Sequence, residues 1–139
     1  MILLDTNVLS ALMQERPDPA VRRWLDSVPA ESIWLTAITV FEVRYGLERL
    51  PKSGRRQALE HAFKVALEEK FEGRVLPFDT VAAEAAGVIS ALQDRAGRHV
   101  DFRDVQIAGI ATARKATLAT RNVSDFEGLQ IPLINPWIA

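Results

Sequence analysis

Five acidic residues stand where an apolar segment ends or a polar turn begins: Asp5 in MILLDTNVLSAL, Glu42 in TAITVFEVRYG, Asp101 and Asp104 in VDFRDVQIAGIATA, and Asp125 in ATRNVSDF. Each has a local structural use. Asp5 or Asp101 can cap a helix, Asp104 sits in a first turn near the positive end of the helix dipole, and Asp125 follows a Ser that can itself cap a turn. Glu42 lies three residues after Thr39, the spacing of a capping box. Together they suggest more, because each falls at the carboxyl end of an expected strand or the start of an expected helix, the edge of an α/β sheet where ligands bind. Carboxylates held in one cleft repel one another and take up protons unless a cation compensates them. An all-oxygen set without His or Cys suits Mg²⁺ or Mn²⁺ rather than Zn²⁺.

The elements that would position these acids follow from periodicity. Met1 to Leu4 form an uninterrupted apolar run, the mark of a strand covered on both faces. Val8, Leu9, Leu12 and Met13 then recur at helical spacing. Helices are expected over Ala20 to Leu25, Ile38 to Leu50, Arg55 to Phe71 (stopped by Gly73), Ala82 to Ala96 and Phe102 to Ala116. Strands are expected over Ile33 to Thr36, Arg74 to Phe78, Thr117 to Thr120 and at Leu133 with Ile134. Alternation of this kind predicts a three-layer α/β/α sandwich with a mainly parallel central sheet, in one domain spanning residues 1–139.

Composition narrows the function. With 48% hydrophobic residues the chain can bury a sizeable core, and with no cysteine it has no disulfide, thiolate metal site or thiol nucleophile. No apolar run approaches the roughly 20 residues that span a bilayer, so a cytoplasmic protein without a membrane partner is expected. A net charge of −1 argues against coating nucleic acid through bulk charge, while leaving room for a local basic patch. A haloacid-dehalogenase-like phosphatase needs a second Asp where Asn7 stands, and a receiver domain needs an acidic pair after its first strand. His61 and His99 lie among charged residues with no nucleophile motif nearby, and no Gly-rich phosphate loop is present.

In order and spacing, MILLDTNVL, ITVFEVRYG, DFRDVQIAGIATA and LATRNVSDFEGL, closed by INPW, resemble the four acidic motifs of PIN-domain proteins, in particular the VapC and FitB type of ribonuclease toxin from type II toxin–antitoxin modules. The resemblance implies that Asp5, Glu42 and Asp104 are the core Mg²⁺ or Mn²⁺ ligands, with either Asp125 or Asn122 completing the site, while Thr6, Asn7 and Thr120 orient the carboxylates. Asp101 is left as a helix cap. It implies RNA as substrate, cut by a metal-activated water to leave a 5′-phosphate and a 3′-hydroxyl. It further implies a homodimer, assembled into a larger complex with a cognate antitoxin whose C-terminal segment covers the site and whose N-terminal part binds operator DNA. A catalytically silent PIN-like binding module is the alternative. For RNA contact Arg121, beside the last motif, is the first candidate; Lys52, Arg55, Arg56, Arg95, Arg98 and Arg103 are further cations. Trp24, Trp34 and Tyr45 are either core residues or interface anchors.

Overall fold

The computed structural model describes residues 1–139. In chain order its elements are β1 (Ile2–Leu4), α1 (Thr6–Met13), α2 (Pro19–Asp26), β2 (Ile33–Thr36), α3 (Ala37–Glu48), α4 (Gly54–Val65), β3 (Val75–Leu76), α5 (Thr80–Arg95), α6 (Phe102–Arg114), β4 (Thr117–Ala119), α7 (Val123–Phe126) and β5 (Leu133–Ile134). The five strands form one sheet in the order β3-β2-β1-β4-β5, and every pairing is parallel. The chain builds outward from β1 to β2 and β3, then returns to lay β4 and β5 on the other side. The reversal puts a topological switch point at the carboxyl ends of β1 and β4, where open α/β sheets form their clefts.

Pleating sends successive side chains of each strand to opposite faces. Leu3 and Leu118 face a core shared with Ala82, Ala86 and Ile89 of α5 and Val105, Ile107 and Ala108 of α6. Leu4, Ile33, Leu35 and Ala119 face the other core, shared with Val8 and Leu9 of α1, Val21 and Trp24 of α2, Val43 of α3 and Phe63 of α4. Both faces of the sheet are therefore covered, as the apolar runs require. Helices α5 and α6 approach most closely at Gly109, where a Cβ would lie 2.5 Å from the Ala82 carbonyl oxygen and 2.8 Å from the Ala86 Cβ.

The three-layer sandwich expected from the sequence is the observed one, with differences in detail. The segment expected as one helix to Phe71 is α4 followed by a wider turn over Ala66–Lys70, in which the Phe71 N–H bonds the Ala66 carbonyl five residues back at 2.9 Å. Glu72 and Gly73 then take positive φ (48° and 72°) and end it. Strand β3 is shorter than expected, since Pro77 has no N–H to continue the ladder. A 3₁₀ turn at Ala30–Ser32 and the four-residue α7 are too short to show a helical period. Trp24 is core and Trp34 packs partly buried against the α5/α6 layer, whereas Tyr45 is exposed and stacks on Phe41. No helix is long and apolar enough to cross a membrane.

Candidate active site

Strand β1 hands directly to α1 at Asp5. The Asp5 N–H still bonds the Ala119 carbonyl of β4 at 2.9 Å, and its own carbonyl already accepts from Val8 and Leu9. Asp5 is thus the N-cap of α1, yet its side chain is also tied across the sheet. Oδ1 accepts from the Thr6 N–H at 2.9 Å, while Oδ2 accepts from Thr120 Oγ1 at 2.7 Å and Asn7 Nδ2 at 3.2 Å. Only 6% of Asp5 is exposed. Burial raises its pKa despite these three donors, which pull the other way, and the Asp125 charge adds to the rise.

Thr120, fully buried at the end of β4, joins three segments: its hydroxyl donates to Asp5 and accepts from the Asn122 N–H at 3.0 Å and from Asn7 Nδ2 at 3.4 Å. Asn7 Oδ1 accepts from the Arg121 N–H at 3.1 Å. Thr6 Oγ1 donates to Glu42 Oε1 at 2.9 Å, linking α1 to α3. The three polar residues expected around the acids are all found there.

Glu42 departs from the capping-box expectation. Thr36, not Thr39, caps α3, accepting from the Thr39 N–H at 3.1 Å, and the Thr39 hydroxyl donates to the Leu4 carbonyl at 3.2 Å. One turn further on, Glu42 is held by Thr6 and by Arg103 Nη1 at 3.8 Å. Its pKa is raised, first by burial. Asp101 is the N-cap of α6: its Oδ1 accepts from the Arg103 N–H at 2.8 Å, and this bond lowers its pKa.

Asp104, in the first turn of α6, is pushed up to about 7 by burial and then by the negative charges of Asp5, Asp101, Asp125 and Glu42. The acids separated by up to 120 positions in sequence therefore share one electrostatic environment. Asp125 begins α7 and is exposed, with Asn122 at the cap of the same helix; both line the groove that holds Glu42, Asp101 and Asp104. This groove has a volume of about 1040 Å³. Arg98 and Arg103 supply its positive charge.

As the side chains stand, no group of three or more acidic, His or Cys residues is arranged to hold a metal ion. The donor set is nevertheless all oxygen, and the nearest cation, Arg103, is shared between Glu42 and Asp101 at 3.8 and 3.4 Å. Asp5, Glu42, Asp104 and Asp125 are the residues whose oxygens could hold one.

Arg121 is exposed with its guanidinium 4.9 Å above the Trp137 ring, so INPW packs against the end of the last motif. Arg56 is committed to Glu48 and Glu60 at 2.8 and 2.7 Å. Sequence reasoning missed Gln93, a buried groove residue, although its position continues the apolar stripe of Ala82, Ala86 and Ile89 on α5. A polar residue in such a stripe was the available signal.

Comparison with known proteins agrees with this geometry. The family model described as PIN domain matches residues 2–128. A protein named VapC ribonuclease Y4jK from Sinorhizobium fredii is 39% identical over 99% of this chain and 98% of its own length. Toxin FitB of Neisseria gonorrhoeae is 35% identical over 99% of each. A solved structure described as FitAB bound to an IR36 DNA fragment superposes with a TM-score of 0.89 at 35% identity, covering 99% of this chain and 96% of that one. Sequence, sheet order and the acidic edge agree: the chain belongs to the PIN-domain family and is of the VapC and FitB type.

Proposed function

We propose that the protein is a Mg²⁺- or Mn²⁺-dependent endoribonuclease and the toxin of a type II toxin–antitoxin pair. The observation that carries this reading is the half-buried Asp104, whose pKa is raised to about 7 first by burial and then by the carboxylates crowded around it, negative charge that a divalent cation would offset. Asp5, Glu42 and Asp104 would hold that cation, with Asp125 or Asn122 completing its ligands. When bound, the cation supplies a more acidic water and positive charge against the phosphate oxygens.

The remaining work falls to residues of the chain. Three donors fix Asp5 in one orientation, and Thr6 does the same for one oxygen of Glu42. A positioned oxygen keeps its place as charge develops, which is how preorganised groups favour a transition state. Glu42 and Asp125 line the groove and can accept the proton of the attacking water. Attack in line on the phosphorus forms the new P–O bond and breaks the bond to O3′, leaving a 5′-phosphate on one product and a 3′-hydroxyl on the other. Arg103 and Arg121 are cations that could meet the RNA backbone.

A partner fits a second feature. Between α1, α2 and α4 runs an apolar groove of about 1120 Å³, lined by Leu9, Leu12, Leu25, Leu59, Val65 and Phe71 among others. An amphipathic helix lays its apolar face into a groove of this kind. The two-component FitAB relative bound to DNA supports an antitoxin as partner, with DNA contacted through it, and the shape and apolar lining of this groove suit a helix of that partner.

The test is incubation of antitoxin-free protein with a structured RNA pool in Mg²⁺ or Mn²⁺, beside a chelator control, with the new ends mapped. Metal-dependent cuts leaving 5′-phosphates support the reading. Absence of any cut with the folded protein, or cuts that persist in chelator, would favour the binding-module alternative or a contaminating nuclease.

A further inference from the structure

The groove has a second end that the acids do not use. Gln93, on the last turns of α5, is 7% exposed and forms part of the groove wall. Its Nε2 donates to the Gly128 carbonyl at 3.0 Å. A carbonyl can only accept, so the amide's NH₂ end is fixed toward Gly128 and Oε1 points away from it. Oε1 is the one buried side-chain polar atom in the molecule with no hydrogen-bond partner. A buried acceptor left unmet is costly, and an unmet one at a groove marks a place where a ligand donor belongs.

Gly128 adds a second observation. A Cβ on Gly128 would collide with the Arg98 guanidinium and would lie 3.7 Å from Gln93 Oε1. The absent side chain is what gives Arg98 its place beside the amide. Arg98 itself follows α5, where its N–H bonds the Gln93 carbonyl at 2.9 Å, and its side chain is exposed with no ion-pair partner. One fork of donors and one lone acceptor therefore border the same glycine. Arg98 lies three residues before Asp101 and Gly128 three after Asp125, and both, like Gln93, line the acidic groove.

We propose that Gln93 and Arg98, closed by Gly128, form a subsite that reads an unpaired guanine of the RNA bound in the acidic groove. Arginine pairs with guanine O6 and N7 more often than with any other base edge, and the guanine N1–H lies beside O6, where Gln93 Oε1 accepts it. Recognition of unpaired bases by edge contacts is the usual mode for RNA. The inference rests on the ribonuclease reading in taking RNA as the ligand, and it adds a base preference to a site that otherwise meets only phosphates.

The test uses the intact protein in chelator, so that no cleavage occurs, and four labelled RNA octamers in which abasic spacers flank a central GG, AA, CC or UU. Fluorescence anisotropy should show GG bound at least about fivefold tighter than the others, and Gln93→Met should reduce that margin to under about twofold. Arg98→Ala, a change at an exposed side chain, should do the same and keeps the test open if Gln93→Met does not fold. Equal affinities, a preference for another base, or a guanine preference that survives both changes would overturn the subsite. Metal-dependent cleavage by the same preparation separates the two readings: cleavage with no guanine preference removes only the subsite, and a Gln93-dependent preference without cleavage removes only the nuclease.

Discussion

Replacing Asp104 by Asn should make the metal-free protein more stable at pH 8 while removing a carboxylate assigned to the proposed metal site. The sign follows from linkage. Asp104 has an ordinary pKa of 3.8 and is raised to about 7 in the folded protein, so the folded state binds the proton more tightly than the unfolded chain. Folding is favoured by this group below about pH 4, and the advantage is lost as pH rises through the folded value of about 7. A shift of about three units, at ~1.4 kcal/mol each, sets a ceiling of ~4 kcal/mol. Asp104 is only half-buried, and solvent screening brings the expected effect to ~1–2 kcal/mol. Asn has the shape of the protonated acid and no charge to expose to the four neighbouring carboxylates. Urea denaturation in chelator at pH 5, 6, 7 and 8 measures the difference directly. The two proteins should already differ slightly at pH 5, diverge further as pH rises to 7 and reach ~1–2 kcal/mol at pH 8 in favour of Asp104→Asn, and Mn²⁺ should stabilise the wild type more than the variant. An Asp104→Asn protein equal to or weaker than wild type at pH 8 in chelator would refute the claim that the acids share one crowded field.

Thr120→Val removes the hydroxyl that donates to Asp5 and accepts from Asn122; it should cost about 2–3 kcal/mol in urea melts at pH 7, with Thr120→Ser losing markedly less. Gly109→Ala places a methyl against the Ala82 carbonyl and should lower stability by about 1–3 kcal/mol, despite alanine's better helix propensity, because two backbones must part. A thermal melt at or above wild type would show that α5 and α6 can separate at little cost. Arg121→Ala should weaken RNA binding and flatten the slope of log affinity against log salt by about one. An unchanged slope in a filter-binding series would leave Arg121 as a packing partner of Trp137 alone.

Long apolar runs made the sheet legible. ILL, IWLT and TLA are strands covered on both faces, and their mainly apolar character is what such strands require. The cap at Asp101 was equally readable, because a short acid before a helical period has one common use. Glu42 was ambiguous for a physical reason: Thr36 and Thr39 both precede it, and only packing of the Thr39 hydroxyl onto the Leu4 carbonyl decides which one caps. The wide turn after Val65 and the short α7 follow from tertiary contacts rather than local period. Gln93 showed only as a polar residue in an apolar stripe, because its partner, Gly128, lies 35 positions away and bonds through its backbone, which leaves the pairing itself without a trace in residue type.

The rate of cleavage of an end-labelled RNA across a Mn²⁺ titration, by wild type and by Asp5→Asn shown to be folded by its urea transition, tests the central claim most directly. Wild type should cut with a rate that rises with Mn²⁺ and falls to background in chelator, and Asp5→Asn should remain at background throughout, because Asp5 is the buried carboxylate about which Thr6, Asn7 and Thr120 are arranged. Undiminished cleavage by folded Asp5→Asn would contradict the account.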